Sequence, residues 1–203
     1  PQKIKKVIQY DIKTKKIMER EIQEYKRLNS IASKGGIVIF GANTDREIPV
    51  GELKESFNLE YSAYNRSFSN LSLDNAIELY DTCVLPLQPD TVLIHIGDSK
   101  EYCKDIAEFE QKYIKLIRHI KESDNKIRIV IISVKDDEIN RCLKNIADSM
   151  RVEYQDVAQA SVWNPQAIKG VHSFLRSIGL YGYKRTVRTV SAYDLTKIFF
   201  CCA

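Results

Sequence analysis

Three continuous apolar runs, each ending on a small residue, constrain this chain more than anything else in it. Ile37-Val38-Ile39-Phe40 meets Gly41, Val92-Leu93-Ile94-His95-Ile96 meets Gly97, and Ile127-Arg128-Ile129-Val130-Ile131-Ile132 meets Ser133. Apolar runs without polar alternation read as strands buried on both faces, which is the mark of a parallel sheet. Weaker strands fit around residues 58–65 and 152–157. Between them, apolar residues recur every three or four positions over 73–85, over 104–122 (Ile106, Phe109, Tyr113, Leu116, Ile117, Ile120) and over 136–150 (Ile139, Leu143, Ile146, Ala147, Met150). That spacing is helical. Strands alternating with such helices predict an α/β fold, a parallel sheet covered by helices on both faces. Ligands of open α/β sheets sit at the carboxyl ends of the strands. The segments to inspect are therefore 41–45, 65–70, 97–100 and whatever the C-terminal segment returns to that edge.

Ahead of the first strand lies a Lys-, Glu- and Ile-rich stretch. From Met18 the positions Met18, Ile22, Tyr25, Leu28 and Ile31 follow a helical spacing, and Lys34-Gly35-Gly36 closes it. Upstream, Val7–Asp11 and Ile12–Ile17 fit either a short hairpin or an earlier helical turn. The 203 residues suit one domain with a short extension. The expected division is a basic helical arm over 1–36 and an α/β domain over 37–203. The formal charge of +4 is unevenly spread: +6 over 1–36, −7 over 37–168 and +5 over 169–203. An acidic body argues against polyanion binding by the sheet edge, and the C-terminal run Lys184-Arg185-Thr186-Val187-Arg188 lacks the interleaved aromatics of a nucleic-acid module. No nucleic-acid partner is expected.

Five cysteines, with no CxxC and no Cys/His run at zinc spacing, argue against a disulfide framework or a structural metal. The adjacent Cys201 and Cys202 leave open a redox-labile or lipid-modified end as well as a frayed terminus. No apolar run reaches the ~18–20 residues that span a bilayer, and no signal-peptide core follows Pro1. The expectation is no membrane partner and a cytoplasmic location, unless a leader was removed before Pro1. No GxxxxGK[ST] or GxGxxG occurs, so no nucleotide cofactor is expected.

The order of elements and the residues at the strand ends resemble the SGNH (GDSL) hydrolase superfamily over nearly the whole of 37–190. The resemblance implies a three-layer α/β/α flavodoxin-like sandwich around a five-stranded parallel sheet. In its first block, Gly-Asp-Ser-x-Ser/Thr, Gly41 and the hydroxyl of Thr44 are kept while Asn43 stands where the nucleophilic Ser belongs. A carboxamide has no ionisable group with which to attack an acyl carbon. In the second block, Asn-x-Gly-x-x-Gly, Asn65-Arg66-Ser67-Phe68-Ser69-Asn70 puts Ser69 in the oxyanion-donor role. In the third, Gly-x-Asn-Asp, Gly97-Asp98-Ser99-Lys100 substitutes Ser99 for the donor Asn. In the last, Asp-x-x-His, Lys169-Gly170-Val171-His172 keeps His172 and replaces the acid by Lys169, a charge that disfavours an imidazolium.

The resemblance thus implies a protein of the esterase and acyl-hydrolase lineage that has lost nucleophile and acid, a pseudoenzyme keeping a cleft for an acylated or carbohydrate ligand at Asn43, Ser69 and Ser99. One alternative is an active acyl or acetyl ester hydrolase with Thr44 as nucleophile and His172 as base. Another is a structural module whose basic arm recruits a second copy or a protein partner. His95, inside an apolar strand, is expected to be a packed, hydrogen-bonded histidine.

Overall fold

The structure, a computed structural model, describes residues 2–97, 105–157 and 190–201, with side chains described from Ile12 onward. A helix α1 (Gln2–Ile31) leads into β1 (Ile37–Gly41), and a short 3₁₀ helix (Asn43–Glu47) and α2 (Val50–Ser56) precede β2 (Ala63–Asn65). Then come α3 (Ala76–Leu79), β3 (Thr91–His95), α4 (Ile106–Ser123), β4 (Arg128–Ile132), α5 (Asp137–Met150), β5 (Glu153–Gln155) and α6 (Ala192–Phe200). The five strands are all parallel in the order β2-β1-β3-β4-β5. This is the doubly wound arrangement whose order reverses between β1 and β3, where such sheets open a crevice.

Two-residue periodicity sorts the strand side chains into two cores. Val38, Phe40, Val92, Ile94, Ile129 and Ile131 point to a face covered by α1, α3, α4 and α5. Ile37, Ile39, Leu93, Val130 and Ile132 point to the other, under Val50 and Leu53 of α2 and Leu195, Ile198 and Phe199 of α6. All of these strand residues are buried, which is why the runs read as continuous rather than alternating. Asp105 and Asp136 cap α4 and α5, each accepting two backbone N–H bonds. Arg128 ties the far edge together, with Nε and Nη2 donating to Glu153 at 2.5 and 2.7 Å and Nη1 to the Val190 carbonyl at 2.5 Å.

Three expectations are refined. The edge strands β2 and β5 pair over three residues each, less than the apolar pattern suggested, because each has a neighbour on one side only. The helix expected over 73–85 is α3 followed by a π turn (Tyr80–Val84) and a 3₁₀ turn (Leu85–Leu87). The extra residue of a π turn leaves no trace in apolar spacing, and its Cys83 carbonyl is satisfied from α1 by Asn29 Nδ2 at 2.8 Å. Finally, α1 is one continuous helix from Gln2, so the upstream hairpin does not form. Its packing on the body begins with Met18 and continues through Ile22, Tyr25 and Leu28, whereas Ile12 is 64% exposed. Gly36 makes the turn from α1 into β1 with φ +85°, and a Cβ there would lie 2.1 Å from the Ser62 carbonyl oxygen. Among the described residues no helix is long and apolar enough to cross a membrane.

Candidate functional site

Parallel register places Gly41 beside His95 at the carboxyl edge of β1 and β3. Past Gly41 the chain turns at Asn43, whose φ of +53° lies in the left-handed region that Asn tolerates better than most side chains. The turn sends residues 43–47 into the 3₁₀ helix and folds Asp45 back over the strand end. There its Oδ2 accepts a bond from the Ala42 N–H at 3.1 Å and from His95 Nδ1 at 2.8 Å. A Cβ on Gly41 would lie 2.1 Å from that oxygen, so the seat of Asp45 exists only because residue 41 is glycine. Asn65 fixes the same loop from β2, donating from Nδ2 to the Asp45 carbonyl at 2.7 Å while its Oδ1 accepts from the Ser67 N–H at 3.0 Å.

Asp45 is 6% exposed. A carboxylate oxygen accepts, so the His95 ring donates from Nδ1, which orients the imidazole as an Asp–His pair does in acid–base sites. The ring also meets Phe200 of α6 edge to face, with centroids 5.2 Å apart. His95 and Asp45 line a cleft of about 680 Å³ above the ends of β1, β3, β4 and β5, together with Thr44, Ser133, Lys135 and Asp156. Its far wall is braced. Ser133 Oγ donates to Asp156 Oδ1 at 3.2 Å and accepts from the Val157 N–H at 2.8 Å, while the Asn140 side chain bonds both backbone groups of Val134 at 2.8 Å. Such a wall holds its polar groups in fixed directions, which suits orienting a ligand. Among the described residues no group of three or more His, Cys, Asp or Glu side chains is placed to hold a metal ion.

Of the residues singled out in the sequence, Thr44 lines this cleft. Asn43 forms the turn beneath it, with its N–H donating to the Phe68 carbonyl at 3.1 Å. Ser69 does not take the cleft-facing place expected of it. Its N–H and Oγ face α1, where the Glu21 carboxylate accepts from both, at 3.3 and 2.5 Å. Counting along the blocks also shifts two assignments by one position: the final residue of Gly-Asp-Ser-x-Ser/Thr falls on Asp45 rather than Thr44, and the second Gly of Asn-x-Gly-x-x-Gly on Asn70 rather than Ser69. Ser99, Lys169 and His172 lie outside the described residues.

The Asp45–His95 pair is the feature that sequence reasoning missed. His95 is hydrogen-bonded as expected, but it also faces the cleft. A signal was present: a histidine at the end of a central strand, opposite a glycine at the end of its neighbour. Nothing local joined it to an aspartate fifty positions earlier.

No protein-family model matches the sequence, and no curated protein matches it. Solved structures do. A Streptococcus pneumonia protein described as a platelet activating factor superposes with a TM-score of 0.65 at 16% identity, covering 89% of this chain and 99% of its own. A Bacteroides fragilis protein described as an acylhydrolase gives a TM-score of 0.56 at 15% identity, over 78% of this chain and 94% of its own. A GDSL-like lipase from Bacteroides thetaiotaomicron gives 0.54 at 16% identity, over 71% and 81%. At these identities the likeness is one of fold: the chain has the α/β sandwich of GDSL-like lipases and acylhydrolases.

Proposed function

We propose that this chain is a catalytically degenerate relative of the esterase and acyl-hydrolase lineage, in which the cleft beside Asp45 and His95 binds a small acylated or carbohydrate ligand without turning it over by serine chemistry. The observation that carries this reading is Asn43. It stands in the nucleophile's place in a turn with φ +53°, and a carboxamide cannot be activated for acyl transfer by any neighbouring base. One further point supports it: Lys169 occupies the position of the family's acid. The cleft itself is braced and lined by polar groups that remain suited to binding.

A second reading has one observation in its favour. Thr44, a hydroxyl-bearing residue, lines the same cleft as a histidine held by a buried aspartate. In that reading Thr44 is the nucleophile of an ester hydrolase with His172 as base. One assay separates the two: hydrolysis of p-nitrophenyl acetate and butyrate by the wild type and by Thr44→Ala, His172→Ala and His95→Ala. The expected outcome is wild-type turnover no faster than the three variants. Turnover that Thr44→Ala and either histidine variant abolish would overturn the binding-only reading, since losing a nucleophile or base typically costs ~10² or more in rate.

A further inference from the structure

A second polar centre lies on the other side of the β1 edge, and no role in the cleft accounts for it. Glu21, on the packed half of α1, is 3% exposed. Its carboxylate receives the Ser69 N–H at 3.3 Å from each oxygen, the Ser69 hydroxyl at 2.5 Å, and the Arg46 guanidinium, whose Nη1 lies 3.2 Å from Oε1. Arg46 Nη1 also donates to Ser69 Oγ at 3.2 Å, closing a ring of three groups. Tyr25, one turn along α1, donates its hydroxyl to the Ser67 carbonyl and steadies the same loop.

An amide, a hydroxyl and a guanidinium converging on one buried point are what a protein uses to hold an anion. Here the anion arrives on a helix. Its charge suits the site: among the described residues Arg46 is the one cation contacting the carboxylate, so a single negative charge is balanced, whereas a dianion would leave uncompensated charge in a buried place. We propose that Ser69 and Arg46 form a carboxylate-binding site that Glu21 fills from within the chain, and that the site takes a free carboxylate whenever the Glu21 side chain is withdrawn. This inference does not depend on the ligand or the activity of the cleft. It gives α1 a role as an internal ligand, one that an acidic group of a partner can replace. Arg46 follows directly on Asp45, so an exchange at this site bears on the 3₁₀ helix that also seats His95.

The test is rescue by small anions. In Glu21→Ala the donors are kept and the carboxylate removed, so sodium acetate or formate is expected to raise the melting temperature above that in equimolar sodium chloride. The expected rise is roughly 3–6 °C at a tenfold excess over Kd for a chain of this size. Inorganic phosphate is expected to give less than half the acetate effect. Wild type, with the site filled, should show no difference between acetate and chloride. Adding Arg46→Met to Glu21→Ala should remove the rescue. Equal responses of wild type and Glu21→Ala, no difference between acetate and chloride, or rescue that survives Arg46→Met would each overturn the proposal. Should Glu21→Ala fail to fold in chloride, the readout becomes refolding yield in acetate against chloride, and an equal yield overturns it.

Discussion

Gly41 and the Asp45 carboxylate compete for one volume, and the glycine's missing side chain is what resolves it. Gly41→Ala would drive a methyl to 2.1 Å from Oδ2, displacing the acceptor of both the Ala42 N–H and His95. The expected cost is about 2–3 kcal/mol in denaturant unfolding, from overpacking and a stranded buried carboxylate. Gly51→Ala, where a Cβ meets nothing within 4 Å, should stay within about 0.5 kcal/mol and serves as the control. Cys83 makes a residue-scale prediction in pH. Burial pushes its thiol up to about 11 from an ordinary value of 9.0. The folded state therefore keeps the proton to higher pH than the unfolded state does. Its contribution is fully present below about pH 8 and is lost as pH rises from 9 towards 11. Alkaline titration of stability by chemical unfolding should show this decline, at up to ~1.4 kcal/mol per pH unit. Cys83→Ala should be less stable at neutral pH but have a shallower slope between pH 9 and 11.

At the scale of elements, α1 is two things in one helix. From Met18 onward it is a wall of the core: Tyr25 is 7% exposed, and Asn29 bonds both the Cys83 carbonyl and Arg66 Nε. Arg66 is itself buried, its guanidinium lying over the rings of Tyr25 and Tyr64. Burial holds its pKa below the ordinary value, so the Asn29 contact matters to a charge that has left water. The helix before Met18 lacks this packing where its side chains are described, as Ile12 shows. Deleting residues 1–16 is therefore expected to leave the melting temperature within about 2 °C, by differential scanning fluorimetry. Deleting 1–31 removes one of the four helices on one face of the sheet together with Tyr25 and Asn29, leaves Arg66 Nε without its partner, and should abolish cooperative unfolding. The same short truncation addresses the alternative role in assembly: a fall in mass by light scattering beyond the deleted residues would mark the basic segment as an interface.

For the molecule as a whole, strand order matters more than any single element. Because β1 and β3 are neighbours and β2 lies outside β1, the end of β3 and the segments after β1, β4 and β5 surround one cleft, while the loop after β2 turns toward α1. That division sends Thr44, Asp45 and His95 to one site and Ser69 to another, although the sequence pattern placed Ser69 and Thr44 together. The likeness to GDSL-like lipases and acylhydrolases at 15–16% identity belongs to this level too, since it is carried by the sandwich rather than by shared residues.

The sequence by itself determined the parallel α/β sheet, its three central strands, the helices α4 and α5 and the edge on which to look for a site. Those features are legible because burial on both faces of a strand and one face of a helix is written into residues a few positions apart. That Asn43 stands just past the end of the first strand was legible for the same reason. Only the tertiary structure decided that Asp45 holds His95 across fifty residues, that Glu21 claims Ser69 across forty-eight, and that α3 opens into a π turn answered by Asn29. Each of these is a polar bond between distant segments. Its partners carry no common period, and they meet only because strand register and helix docking bring them within 3 Å or so.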